Sequence, residues 1–190
     1  TELTGDGAGG VPEWAATLLP ACGWVNSTGT FSPTSEAPGS NVKTITLGLY
    51  EDGMLKRMSG CAGTFKIVCP TGKRIMFGWT FTGVWLAPSD ATILAPTYPS
   101  DKPFRFAGAT WTIGSWVPKV ESLTIDAGNN VVLREDATNV AGYCAAIASD
   151  RDITGSMNPE SALVATENVY GDWLAGTERA FSLAVADADD

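Results

Sequence analysis

An alternation of apolar and polar residues with a period of two constrains this chain more than any other feature. In residues 43–50, Ile45, Leu47 and Leu49 occupy every second position. A period of two indicates a half-buried β-strand, because successive side chains of a strand point to opposite faces. Asp52-Gly53 follows directly, and this pair favours the positive φ angles of a tight hairpin turn. The pattern predicts a strand, a hairpin and a returning strand.

Similar segments recur along the chain and are joined by short links. The pattern predicts further strands at 54–59, 64–69, 74–86, 110–113, 119–126, 130–135, 151–155 and 179–186, with turns at 60–63, 70–73 and 127–129. Short helices are predicted at 13–21, after Asn158 as N-cap, and at 169–174. The fold class is therefore mainly β: a β-sandwich or open barrel of antiparallel strands, with one or two short helices and long loops.

We expect a single domain over residues 1–190, with two segments of different character. Residues 1–12 are rich in glycine, which predicts a flexible arm. Residues 87–103 carry four prolines, which excludes a central strand, because proline cannot donate to the hydrogen-bond ladder. This segment is predicted to be a long loop.

The proline-rich loop carries apolar side chains that suggest a partner surface. A long loop in a small domain usually has a function, and exposed apolar residues favour contact with another protein. The alternative is that the loop folds back on its own core. The candidate subunit-interface residues are Trp85 and Leu86, where the loop begins, and Ile93, Leu94 and Tyr98 within it.

The sequence offers little for catalysis. It contains no histidine, which excludes Ser-His-Asp and Cys-His hydrolytic sites. Ser40 and Lys43 match a Ser-x-x-Lys pair, but its companion motifs are missing and chance explains the match. Asp150 and Asp152 would share a strand face, yet a solvated turn is a better interpretation than an acid–base pair. We predict no enzyme, no catalytic residue and no cofactor.

Four cysteines, Cys22, Cys61, Cys69 and Cys144, are spread over the chain without a Cys-x-x-Cys pair. A zinc site is therefore not expected. Cys61 and Cys69 could meet across a hairpin, but four thiols in a chain of this length do not resemble a disulfide scaffold. We interpret them as buried, reduced, small apolar residues, which implies folding in a reducing cytoplasm.

The charge balance limits the possible partners. The chain has 21 acidic and 12 basic residues, for a net charge of −9. Tight nucleic-acid binding is not expected, because it depends on Lys and Arg that displace counterions from phosphates. An acidic surface suits DNA that slides past without being held, and ordinary solubility explains the charge equally well. No run of apolar residues is long enough for a membrane span.

An ordered series of short segments resembles the major tail tube proteins of siphophages, the bacteriophages with long non-contractile tails. The segments are Pro20-Ala-Cys-Gly23, 49–55, 59–64, 81–84 with 87–90, 126–129, 152–155 and 158–160. Each is a turn and none is specific by itself; their shared order across residues 14–180 carries the resemblance. Ala62 stands where a basic residue is common in the family, and Pro20 replaces a more helical residue.

The resemblance implies a structural virion protein without a membrane role. Such subunits form hexameric rings that stack into a hollow tail tube and contact other tail proteins. DNA leaves the capsid through the lumen without specific binding. The resemblance places the protein in the phage tail, after assembly in the host cytoplasm. Family members usually have more chain before and after the matching region, so we expect N- and C-terminal parts of the family to be missing here.

Two other classes of protein fit the same residues. A capsid decoration protein, or another virion β-sandwich, would bind a preformed shell and would not stack on itself. A carbohydrate-binding module would use exposed members of the seven tryptophans to stack on sugars. Such a module would be monomeric, which distinguishes it from a tube subunit.

Overall fold

The computed structural model of the chain describes residues 1–6, 10–34, 42–98 and 101–185. These residues form a mainly β structure of antiparallel sheets, as predicted, and they do not form a closed barrel. In chain order the elements are α1 (Glu13–Ala21), β1 (Trp24–Ser27), β2 (Thr30–Pro33), β3 (Ile45–Glu51), β4 (Met54–Pro70), β5 (Met76–Asp90), β6 (Thr110–Ile113), β7 (Val120–Asp126), β8 (Asn129–Glu135), β9 (Tyr143–Arg151), β10 (Thr154–Pro159), α2 (Val169–Ala175) and β11 (Phe181–Ala184).

The long strand β4 organises the main sheet. Strand β5 pairs with one edge of β4, from Met54↔Asp90 to Val68↔Met76. The opposite edge of β4 is shared, because β3 pairs with its first half and β7 with its last residues. Strand β10 extends the sheet beyond β7. Three smaller ladders, β1–β2, β8–β9 and β6–β11, complete the fold.

An aromatic cluster between helix α1 and the main sheet forms the largest part of the core. Phe65 of β4 and Phe77 and Trp79 of β5 are close neighbours, and the Phe65 and Trp79 ring centroids lie 5.5 Å apart. Helix α1 covers them with Trp14, whose ring lies 5.0 Å from Phe77, and with the buried Leu19. Aromatic pairs of this kind add roughly 0.5–1.5 kcal/mol beyond the area that they bury.

A second, smaller cluster adjoins the first, since Leu3 and Ile67 pack against both. It joins Cys69, Ile75, Phe106 and Leu123, and Leu183 of β11 packs against it. The last strand is therefore held by the apolar residues at alternate positions that predicted it.

Segment 60–63 differs from its prediction as a turn, because β4 continues through it as one strand. Gly60 has a φ of 58°, and the pairing with β5 shifts register between Ser59 and Ala62. The segment is a β-bulge, which requires the same conformational freedom of glycine as a turn. Since Cys61 and Cys69 lie on the same strand, they are roughly 26 Å apart and cannot pair. All four cysteines are free thiols; Cys22, Cys61 and Cys69 are buried as expected, whereas Cys144 is only half-buried.

The region after β7 also departs from the prediction. Strand β8 does not return along β7 but pairs with β9, a strand that the sequence analysis missed. The β1–β2 hairpin is a further pair of strands that the sequence pattern did not predict. Asn158 does not cap a helix: it lies in β10, where its side-chain amide donates to Glu121 Oε2 at 2.8 Å. The predicted helices at 13–21 and 169–174 are confirmed, and Gly176 ends the latter with a φ of 64°.

The first six residues, expected to belong to a flexible arm, are bound to the sheet. The Leu3 amide donates to the Ile75 carbonyl at 3.0 Å, and the Phe104 amide donates to the Leu3 carbonyl at 2.8 Å. The Leu3 side chain packs against both core clusters, which explains why this segment is anchored. Residues 7–9 of the expected arm lie outside the described residues.

The proline-rich loop begins later than predicted, because β5 continues to Asp90. Ser89 still pairs with Leu55, and the ladder shifts register between Leu55 and Arg57. Pro88 lies opposite this shift, where a missing backbone donor breaks no regular pairing. Trp85 and Leu86 therefore belong to a strand, whereas residues 91–98 form the connection.

Ser40 of the Ser-x-x-Lys pair lies outside the described residues.

Candidate assembly surfaces

A cleft beside the end of α1 contains a polar network. It measures about 310 Å³ and is lined by Ala21 of α1, by Gly23 and Thr34 on either side of the β1–β2 hairpin, and by β9, with Arg151 in its wall. Arg151 Nε donates to Asn129 Oδ1 at 2.8 Å, and its Nη2 donates to the carbonyls of Gly23 at 3.1 Å and Thr34 at 3.3 Å. Burial lowers the pKa of this guanidinium. These donors are thus occupied by acceptors of the protein itself.

Asn129 connects this cleft to the main sheet. Its side chain is buried and its amide donates to the carbonyls of Cys22 at 2.7 Å and Gly63 at 2.8 Å. Asn129 thereby gives a hydrogen-bond partner to β4 on the part of its edge that neither β3 nor β7 pairs with. It also connects that edge to the end of α1. Burial raises the pKa of the Cys22 thiol to about 12, so this thiol stays neutral and unreactive. The network holds elements together and supplies no nucleophile.

The described residues contain no group of three metal-ligating side chains that could hold an ion. Asp150 is exposed but lies in strand β9 and not in the expected turn, and its Oδ1 accepts from the backbone amide of Arg151 at 2.8 Å. No helix within the described ranges is long and apolar enough to cross a membrane.

The five predicted interface residues are distributed over two settings. Trp85 is 64% exposed and pairs with Met58 across the sheet, which in turn pairs with Leu47. Leu86 points to the opposite face and is half-buried, so the structure does not bring it together with Trp85. Beyond β5, the three remaining candidates Ile93, Leu94 and Tyr98 are all exposed.

The end of the β3–β4 hairpin adds apolar residues that the sequence analysis did not select. Leu49 of β3 is 62% exposed and Met54 of β4 is 40% exposed. The Ala91 amide donates to the Gly53 carbonyl at 2.8 Å, so the proline-rich loop starts at this hairpin. The alternation of apolar residues in β3 could have identified Leu49, because this residue continues the apolar face of the strand beyond the part that the core covers.

A second apolar surface, also missed, lies on helix α2 and the residues before it. Its exposed members are Leu163, Val164, Val169, Tyr170, Trp173 and Leu174. None of the described residues of α2 is buried. A helix with this many apolar residues is usually covered by another element, so its exposure marks a surface available to a partner.

Strand β5 also presents an open sheet edge. Along the edge that faces away from β4, the described residues provide partners only near its start, where Glu2 pairs with Met76. Unpaired backbone donors and acceptors on such an edge are a template for strand addition by another chain.

A family model of phage tail tube proteins matches residues 2–190. The chain belongs to the phage tail tube protein family. Among curated proteins, no sequence is similar enough to this chain to count as a match.

Membership of this family gives the surfaces a role. A phage tail tube protein is a structural subunit of the virion tail that self-assembles and contacts other tail proteins. The match favours neither a capsid decoration protein nor a carbohydrate-binding module. Exposed apolar residues and an open strand edge in a tail tube protein are features that self-assembly would bury.

Proposed function

We propose that copies of this tail tube protein close into hexameric rings, that the rings stack into a hollow tube, and that phage DNA leaves through its lumen. The match over residues 2–190 carries the proposal, and the open edge of β5 supports it. Pairing between neighbouring subunits in a closed ring would remove exposed sheet edges, which otherwise promote irregular aggregation. The number of six subunits comes from the resemblance to siphophage proteins.

The charge of the chain supports passage of DNA without capture. The net charge is −9, and binding to phosphates gains its affinity from basic side chains. A lumen built from acidic subunits repels the backbone of DNA and gives it few cations to hold it. We also propose that the protein has no catalytic role, since its polar networks serve the fold.

The buried free thiols support assembly in the host cytoplasm. Cys22, Cys61 and Cys69 are buried and unpaired among the described residues. Burial also raises the pKa of Cys69, to about 11. Reduced thiols persist in the cytoplasm, whereas oxidising compartments favour disulfides.

We further propose that Trp85, Leu86, Ile93, Leu94 and Tyr98 contribute to subunit contacts. Four of them are exposed by more than half of their surface. Tryptophan and tyrosine are prominent among the few residues that provide most of the binding energy of typical interfaces, and exposed aliphatic residues beside them add apolar area. Leu86 is half-buried and would act by supporting the strand that carries Trp85.

A triple substitution tests this proposal. Ile93→Ser, Leu94→Ser and Tyr98→Ser together should abolish tubes, because they remove apolar area from the contact but none from the core. Val140→Ser is the matched control, since Val140 is fully exposed on a turn far from the loop in the chain. Negative-stain electron microscopy and sedimentation would measure assembly, and thermal unfolding would report on the monomer. Tubes of normal length from the triple variant would contradict the proposed role of this loop.

A further inference from the structure

The long β4–β5 hairpin carries charges of opposite sign at its two ends. One end, called the acidic end, lies at the turn between β3 and β4, where Glu51, Asp52 and Asp90 lie close together. Glu51 pairs with Met54, and Met54 pairs with Asp90 on the next strand. Lys56 forms an ion pair with Glu51, and this contact lowers the pKa of the Glu51 carboxyl. Three carboxylates against one lysine leave a net of two negative charges.

At the other end, called the basic end, Lys73, Arg74 and Arg105 lie together. Arg74 and Arg105 are paired on adjacent segments, and both side chains are exposed. Glu2 forms an ion pair with Arg74. Three basic side chains against this one carboxylate leave a net of two positive charges, opposite in sign to the acidic end.

The two ends are too far apart to neutralise each other within one subunit. Strand β4 has 17 residues, which corresponds to roughly 55 Å at the usual rise of a strand. Charges in physiological salt are screened over about 8 Å. Asp101 and Lys102, near Arg105 in the chain, carry opposite charges and leave the balance unchanged. Glu121, on the far side of the 70–73 turn, accepts a hydrogen bond from the neutral amide of Asn158 and keeps its charge, so that it lowers the net charge of the basic end to one positive charge.

Each end combines its charges with exposed apolar surface. Met54 lies between Glu51 and Asp90 and is 40% exposed, and Met76 pairs with Glu2 and is 41% exposed. Apolar contacts surrounded by charged groups are typical of specific protein interfaces. Complementary potentials of this kind fix the orientation of the partners.

We propose that the acidic end of one copy docks on the basic end of the next copy along the tube. The proposal rests on the stacking of copies under the proposed function, and it adds the surface and the direction. A contact between different surfaces of identical subunits is heterologous, and where its repetition does not close into a ring it extends into a filament. Charge then gives the tube a polarity, because two acidic ends or two basic ends repel each other.

Charge reversal tests the proposal. The first variant, Asp52→Asn with Asp90→Lys, makes the acidic end positive. Asp52 is changed to Asn because its φ of 49° suits asparagine better than lysine. The second variant, Lys73→Glu with Arg105→Glu, makes the basic end negative. Each variant alone should lose tubes, since like charges then meet at every stacking contact. The four substitutions combined should recover tubes, since the complementarity is restored with the signs exchanged.

The control makes the same change of charge as the first variant, at positions elsewhere in the chain. Glu135→Lys with Glu178→Gln alters two exposed positions outside both ends and should leave tubes unchanged. Circular dichroism would verify folding, and electron microscopy would measure tube length. Normal tubes from either single-end variant, or folded combined variants that form no tubes, would overturn the proposed docking. Failure of the unmodified protein to form rings or tubes would instead contradict the proposed function.

Discussion

The two helices of this protein are similar in length and opposite in the use of their apolar residues. Helix α1 buries Ala15, Leu19 and Ala21 against the aromatic cluster of the main sheet. Helix α2 buries none of its described residues, and Trp173 is 79% exposed. The comparison separates two tasks of apolar residues in one chain: those under α1 stabilise the subunit, whereas those on α2 remain available for a partner.

Helix α2 is maintained without a core beneath it. The side chain of Asn168 accepts from the Gly171 amide at 2.9 Å and caps the start of the helix. Arg179 contacts Glu167 at 2.9 Å and Asp172 at 2.6 Å, which fixes the start of the helix to the following strand. A helix cap contributes about 1 kcal/mol, and the net contribution of an ion pair is usually small, because desolvation of the charges offsets their attraction. That is enough to orient a short helix but adds little to the stability of the subunit.

The largest effect is expected from Trp14→Ala in α1. The Trp14 ring lies 5.0 Å from Phe77 and 6.2 Å from Trp79, and its indole N–H donates to the Thr4 carbonyl at 3.3 Å. Its removal should lower the free energy of unfolding by about 3 kcal/mol, since large-to-small changes in a core leave a cavity. Urea unfolding at concentrations that keep the protein monomeric would measure this. Trp14→Phe should retain most of the stability, and a loss below about 1 kcal/mol for Trp14→Ala would argue against a structural role of α1.

A smaller effect is expected where the end of α1 meets the rest of the fold. Asn129→Ala removes the donor to the buried carbonyls of Cys22 and Gly63 and the acceptor of Arg151 Nε. Buried polar groups left without a partner should lower the free energy of unfolding by about 2 kcal/mol. The adjacent and exposed Asn130 offers a matched control, because Asn130→Ala should change stability little. Equal effects of the two substitutions would show that the network does not hold α1.

Both helices could be predicted from the sequence, but their surroundings could not. Glu13 after Pro12 and Gly176 mark helix ends by local chemistry alone. The role of Asn129 could not be predicted, because its partners Cys22 and Gly63 are 107 and 66 positions away in the chain.

The sequence around Gly60 also did not distinguish a turn from a β-bulge, since glycine adopts a positive φ in both. The exposed apolar surface was predicted only in part. Apolar residues on a proline-rich loop indicate exposure, which the structure confirms for Ile93, Leu94 and Tyr98. Apolar residues on a helix normally indicate burial, so Trp173 gave no sign of its exposure.

The smallest effect on the subunit is expected from Trp173→Ala, the counterpart of Trp14→Ala. The side chain is 79% exposed, so its truncation removes little buried area, and alanine is the better helix former. The free energy of unfolding of the monomer should change by no more than about 0.5 kcal/mol. Assembly followed by sedimentation should weaken, because an interface would lose an aromatic residue of the kind that dominates binding energies. A loss of monomer stability above about 1 kcal/mol would mean that α2 packs on its own subunit, and the distinction between the two helices would then disappear.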